Sequence, residues 1–404
     1  MTWFDLTLGD ALRVKHGFAF KGEFFAQEGA LLVVTPGNFV EAGGFRVRPG
    51  KERYYTSDFP EDYLLCRDDL IIAMTEQGEG LLGSAARIPE DGKYLHNQRI
   101  GLITITRSDL LEKRFAYWLF NSRSVREQLR GSSTGTKVKH TAPERIYKVR
   151  TRIPSVEAQA QIAARLDAYN DHIEINQRRI ALLEESARLL YHEWFVNLRY
   201  PGCAFTHSTE LPHGWQMRPL AEVAVVNNTS LSARNEPDVI QYIDIASVET
   251  GIVLGATKMP YADAPGRARR LVRHGDVIWS CVRPNRRSYA LMWEPDDDVV
   301  VSTGFAVLTA NSVPFSYLYF ATTSDEFVAY LTNRATGAAY PAVSGKDFEG
   351  APLLCPGSEV LQSFHEQCSP MLELRSKLIR QNAHLTEARN ALLPKVMSGE
   401  VAVR

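Results

Sequence analysis

Cysteine is scarce in this chain and follows no pattern. The five, Cys66, Cys203, Cys281, Cys355 and Cys368, are odd in number and widely scattered, with no CxxC and no Cys/His grouping at metal-ligand spacing. That excludes a disulfide scaffold and a zinc module, and the thiols read as interior residues of a cytoplasmic protein. No run of 18 apolar residues occurs, and the opening Met1-Thr-Trp-Phe-Asp does not have the character of a signal peptide, so no membrane span is expected. An excess of charge is missing too: 46 basic residues stand against 47 acidic ones in 404, which leaves no global polyanion-binding signature. The usual catalytic loops are absent, whether G-x-x-x-x-G-K-[ST], H-E-x-x-H, G-x-G-x-x-G or G-x-S-x-G. Gly78-Glu79-Gly80 lacks a third glycine, Asp296-Asp297-Asp298 after Pro295 reads as a solvated turn, and the ten histidines show no paired ligand spacing. Neither a metal, a cofactor nor a catalytic residue is expected of the chain itself.

What is present is one large pattern, written twice. A β-rich stretch runs through a Thr-Gly turn to a proline and then into a long amphipathic segment. The first copy carries Ser133-Thr134-Gly135-Thr136 and Ile153-Pro154, the second Ala335-Thr336-Gly337-Ala338 and Cys355-Pro356. Gly135 to Gly337 and Pro154 to Pro356 are both 202 residues apart, a period far too long for a solenoid of small repeats. Other landmarks recur in order. The Trp3 to Asp10 opening parallels Trp215 to Glu222, and Arg67-Asp-Asp-Leu-Ile-Ile parallels His274-Gly-Asp-Val-Ile-Trp, with Asp69 over Asp276. Helices are expected at about 110–130 and 315–333 inside the two β-rich stretches. The fold class that follows is α+β: globular modules at 1–152 and 201–354 alternating with long helices at 153–200 and 355–404.

The long segments have a coiled-coil rhythm. From Ile162, steps of four and three give Leu166, Tyr169, Ile173, Asn176, Ile180, Leu183, Ala187, Leu190 and Trp194, of which Asn176 alone is plainly polar. The second stripe, Phe364, Cys368, Met371, Leu378, Leu385 and Leu392, is interrupted by Arg375, Asn382 and Arg389, where Leu374 and Ala388 are expected as replacements. About 39 residues of helix make a rod of roughly 58 Å, which must bury its stripe. The intervening module returns the chain, so an antiparallel pairing of the two helices is the economical arrangement.

Charge, balanced overall, is concentrated locally. Between Arg267 and Arg287 there are seven arginines and one acid, Asp276. Arg267, Arg269 and Arg270 lead this stretch. Pro284-Asn285 reads as a turn presenting Arg283, Arg286 and Arg287 at its tip, with Asn285 beside them. Arginine suits phosphate and the guanine edge, and asparagine suits adenine. In the first module the candidates are Lys15 and Lys21, Gln77 in its glycine-rich loop, and Lys93, His96, Asn97, Gln98 and Arg99. The Thr134-Gly135 turn with Lys137 offers hydroxyls, amides and a cation to a phosphate. Thr336-Gly337 repeats the turn without the lysine. Solvated polar loops account for the same residues, and Phe18 and Phe20 read as core more than as stacking platforms.

Taken in order, these landmarks resemble the DNA-specificity subunits of type I restriction-modification systems. The resemblance spans nearly the whole chain and includes the helix endings Leu182-Leu-Glu-Glu-Ser-Ala-Arg and Leu385-Thr-Glu-Ala-Arg-Asn-Ala-Leu-Leu-Pro-Lys-Val-Met-Ser-Gly-Glu. It implies that each globular module is a target recognition domain reading one half of an asymmetric, bipartite double-stranded DNA site. It also implies that the helices are spacers packed antiparallel. Two methylation subunits would dock on that frame and bring S-adenosylmethionine, a translocating restriction subunit would join in full systems, and this chain would not be catalytic. A scaffold joining protein partners through its helices, without DNA, is the alternative. A methyltransferase-only complex is indistinguishable from a full one at this level.

Overall fold

The computed structural model describes residues 2–48, 50–76, 80–202, 211–232 and 236–401. It divides into two compact units, one of residues 1–174 and 382–404, the other of 175–381. Each unit therefore holds one globular module together with a stretch of both long helices, Val156–Tyr191 and Ser358–Ser398.

In the first unit a four-stranded antiparallel sheet runs in the order Leu12–His16, Ile100–Ile105, Leu70–Ala73, Ala85–Arg87. Leu70–Ala73 is buried at every position, as an inner strand covered on both faces must be. A second sheet of short strands contains a parallel pair, Leu32–Val33 beside Tyr94–Leu95. The second unit repeats both sheets internally. Its antiparallel sheet is ordered Ala224–Val226, Phe305–Ala310, Val277–Ser280, Tyr289–Leu291, and its other sheet places Val239–Ile243 parallel to Val299–Ser302. Asp69 and Asp276 do the same local work: the carboxylate of each accepts the backbone N–H three residues earlier, Cys66 and Arg273, at 2.9 Å, closing the turn into the strand. Each module also opens and closes on a two-stranded ribbon, Trp3–Thr7 with Arg150–Pro154 and Gln216–Pro219 with Pro352–Cys355. These ribbons tie the start of a module to the entry of its long helix.

The single helix expected within each module is two. Lys113–Phe120 and Arg123–Gly131 are parted at Asn121, whose side chain turns aside to bond both backbone groups of Ala85. Phe315–Thr322 and Asp325–Arg334 are parted before Ser324, whose hydroxyl accepts the Phe327 N–H and caps the second piece.

Within each unit the long-helix stretches face one another in opposite chain directions. In the first, Ile162, Leu166 and Val396 share the module's core with Phe115 and Trp118, and Arg389 donates to Asn170. In the second, Ala187, Trp194, Phe364, Cys368 and Leu372 join Tyr317 and Phe320. Met371 and Leu190 pack against that core, and Leu378 is buried, while Ile173, Ile180, Leu183, Leu385 and Leu392 are half-buried. The expected rescue of the second stripe is not what happens. Leu374 and Ala388 point outward, and the interrupting polar residues turn inward because each finds a polar partner. Arg375 bonds Glu184, Asn382 bonds the Ile173 carbonyl, and the neighbouring Gln381 accepts from Asn176. A buried polar group is tolerated where its bonds are made.

Candidate nucleic-acid interface

In the first module, backbone hydrogen bonds gather four segments that are distant in sequence at one end of the antiparallel sheet. Phe18 N–H donates to the His96 carbonyl (2.8 Å) and Gln98 N–H to the Phe18 carbonyl (2.9 Å). Met74 N–H then donates to Arg99 (3.0 Å), and Thr141 N–H to Met74 (2.9 Å). The Thr-Gly turn is the tip of a hairpin closed by two bonds between Thr134 and His140, and its Lys139–His140 strand pairs with Thr75–Glu76. Gly135 has φ +98°, and a Cβ there would stand 2.0 Å from the Val138 carbonyl oxygen, so the turn requires glycine. Arg145 ties the hairpin down through the Thr134 hydroxyl (3.1 Å) and the His140 carbonyl (3.3 Å). Lys21, Gln98, Arg99 and Lys137 are exposed around this cluster, and Asn97 is half-exposed, its side chain accepting the Arg99 N–H. Buried Glu76 accepts the N–H groups of Gly80 and Leu82; Gln77, Gly78 and Glu79 lie outside the described residues.

Three expectations for this module change. His96 is completely buried, with Nε2 bonded to the Ile100 carbonyl at 2.8 Å, and burial pushes its pKa down to about 4. A neutral, enclosed imidazole offers nothing to a surface ligand. Lys93 is held by Glu90 at 2.6 Å, and its carbonyl accepts the Leu32 N–H of the other sheet. Lys15 lies over the Tyr63 ring and donates to the Asp62 carbonyl. Phe18 and Phe20 are half-buried in an aromatic cluster with Tyr55 and Tyr63.

The second module builds the same arrangement at the same sheet end. Thr336 and Ala342 close the hairpin, and Val343 N–H donates to the Cys281 carbonyl (2.9 Å) just as Thr141 does to Met74. Cys281 N–H reaches Gly304, and Thr303 N–H reaches the Arg267 carbonyl, so the two halves of the arginine-rich stretch meet through residues 303–304. Gly337 has φ +106°, with a looser surround: a Cβ would come no nearer than 3.1 Å to Tyr340.

The arginine loop is not the simple open tip that was expected. Pro284–Arg286 forms a short 3-10 turn between Arg283 and Arg287, both left-handed at φ +52° and +55°. Non-glycine residues hold that conformation only where surrounding contacts over-determine it. Arg283 supplies them: its N–H donates to Pro341, its guanidinium donates to the Ala339 carbonyl (2.9 Å), and it lies over the Tyr340 ring at 4.7 Å. Arg283 is thus the brace of the second hairpin, and Arg287 is paired with Asp325 at 2.6 Å. Asn285 and Arg286 remain exposed at the tip. Arg267 bonds the Tyr242 hydroxyl, and Arg269 lies over Tyr261. Half-buried Arg270 reaches only the Thr303 carbonyl, while its Nε and Nη1 meet no acceptor among the described residues.

Two features were missed in the sequence. Ile175, Leu182 and Leu189, seven residues apart on the first long helix, are 53%, 67% and 55% exposed. They form a second heptad series, legible in the spacing but overshadowed by the first. Arg145, the brace of the first hairpin, carried no signal, because a lone arginine in a short helix is ordinary. Among the described residues no helix is long and apolar enough to cross a membrane.

A family model, the type I restriction modification DNA specificity domain, matches residues 1–185. The MjaIX specificity subunit of a type I restriction enzyme from Methanocaldococcus jannaschii is 22% identical over 313 residues, which are 75% of this chain and 72% of that one. The HindI specificity subunit from Haemophilus influenzae is 24% identical over 159 residues, 36% and 35% of the two chains. The crystal structure of a type I restriction-modification system S subunit from M. genitalium shares the fold, with a TM-score of 0.58 at 14% identity over 98% of this chain and 96% of that one. The chain is thus similar in sequence to type I restriction-modification specificity subunits, and its first 185 residues match their DNA specificity domain.

Proposed function

We propose that this chain is the non-catalytic DNA-reading subunit of a type I complex, with each globular module reading one half of an asymmetric, bipartite double-stranded site. One observation carries the reading: the same hairpin is docked on the same sheet end in both modules by the same backbone bond, while the side chains around it differ. A shared frame with unlike tips is what two different half-sites require. In the first module Gln98, Arg99, Asn97, Thr134 and Lys137 face that task, and in the second Asn285, Arg286, Thr336, Arg267 and Arg269. Phosphate contacts by the hairpins would set register, and the arginine and amide side chains would read base edges.

The long helices, as an antiparallel coiled coil, act as the spacer that turns half-site separation into a specificity term. The exposed Ile175, Leu182 and Leu189 series suits docking of methylation subunits, two of them, which carry S-adenosylmethionine; a restriction and translocation subunit completes the complex. Selection of bound duplexes from a random pool, with the chain co-expressed with its methylation subunit, tests this. Two short half-sites at a fixed gap are expected. A folded, intact complex that enriches no sequence would favour a protein-only scaffold instead.

A further inference from the structure

Reading a half-site at one fixed distance requires that a module hold one setting on its helices. Apolar packing does not supply that by itself, because it is non-directional. Charge-assisted hydrogen bonds do, being directional and costly when left unmade. The second unit contains such a set. Glu184, on the first long helix, accepts from Arg375 Nε of the second long helix at 3.2 Å, and from the Tyr319 hydroxyl of the module at 3.3 Å. Arg188 also reaches it at 3.3 Å. The Arg375 side chain is only 7% exposed, and its other arm donates to the carbonyl of Gly251. Gly251 is the turn of the hairpin formed by Val248–Glu249 and Ile252–Val253. It has φ +77°, and a Cβ there would lie 3.1 Å from Glu184, 3.2 Å from Arg375 and 3.3 Å from the Tyr319 hydroxyl. Hairpin, module helix and both long helices thus meet at one polar knot with no slack.

We propose that the knot of Glu184, Arg375, Tyr319 and Gly251 is the positioning device of the second module, locking its setting on the helix pair and so narrowing the half-site gap the protein accepts. The proposal rests on the bipartite reading above. These are positioning residues that act without touching DNA.

The test offers the complex of full chain and methylation subunit a set of duplexes carrying both selected half-sites, with the gap varied one base pair at a time. Wild type is expected to prefer one gap. Arg375→Lys keeps the charge but cannot span Glu184 and the Gly251 carbonyl. Its preference against gaps one base pair off should fall about tenfold, the effect of losing one hydrogen bond to a charged group, with the half-site sequences unchanged. The Glu184→Leu/Arg375→Met double variant removes both charges together, so it should broaden the gap while lowering the melting temperature less than Glu184→Leu alone. Glu184→Gln, which keeps one acceptor oxygen but loses the charge and the second, should fall between wild type and Arg375→Lys. An undiminished gap preference in folded Arg375→Lys overturns the proposal, as does broadening accompanied by altered half-site sequences. Failure of the wild-type complex to select any pair of half-sites is a different result: the bipartite reading itself falls, and the knot's role with it.

Discussion

In the first module the Thr-Gly hairpin is braced by Arg145, from the short helix that follows it. In the second it is braced by Arg283, from the loop against which it docks. The first brace leaves Lys137 at the tip and keeps Gln98 and Arg99 exposed alongside. The second spends its arginine on Tyr340 and Ala339 and leaves Asn285 and Arg286 outermost. The order of the four-stranded antiparallel sheet, hairpin closure and the backbone bond that seats the hairpin are common to both. The difference teaches that the frame tolerates wholesale exchange of the side chains at its tip, because main-chain bonds carry the architecture.

The anchoring acids offer the sharpest break in the likeness. Asp167 accepts from Arg87, Arg114 and Trp118, but the two arginines are 26% and 49% exposed, whereas the main partner of Glu184, Arg375, is 7% exposed. Glu184→Leu strands a buried charge and should cost about 3–5 kcal/mol. Asp167→Leu leaves arginines that water can reach, and should cost about 1–3 kcal/mol, chiefly through the orphaned Trp118 N–H. Urea denaturation of both variants measures this, and equal losses would contradict it.

Next come the glycines. Gly135→Ala meets a carbonyl oxygen and an unfavourable φ, Gly337→Ala the unfavourable φ with room to relax. Gly135→Ala should abolish selectivity at one half-site, and Gly337→Ala should only weaken it at the other, as read by duplex selection. Smaller still, Arg283→Ala should reduce affinity about tenfold for sites with the second half-sequence and leave sites lacking it unaffected, since it frees a hairpin held by one charged hydrogen bond. Lys137→Ala should weaken binding to all sequences alike and flatten the slope of log affinity against log salt by about one.

A separate effect concerns pH. Buried His96, ordinarily near 6.5 and here about 4, is protonated first in the unfolded chain. Its contribution is therefore whole above pH 6.5 and is lost as pH falls toward 4. Melting temperature should decline across that window, and a His96→Gln variant should decline less.

Much of this was legible in the sequence. The 202-residue offset placed both hairpins, and Asp69 and Asp276 proved to cap matching strands. What was not legible depended on where side chains found partners. His96 precedes the polar run Asn97-Gln98-Arg99 in sequence yet is enclosed, because its backbone is bonded to Tyr63 on one side and Phe18 on the other. Arg375 reads as a fault in an apolar stripe until Glu184, 191 positions earlier, is seen to receive it. Arg283 reads as an exposed tip until its left-handed backbone turns it onto Tyr340. Hydrophobic period reports burial of apolar groups and is silent on paired polar ones.

The central claim is that each module reads its own half-site. The most direct measurement is duplex selection by a complex in which Gln98, Arg99 and Lys137 are all changed to serine, set beside wild type. Loss of information at one half-site only, with the other half and the gap intact, is the expected result. Fading of both halves together, or of neither, would contradict the account.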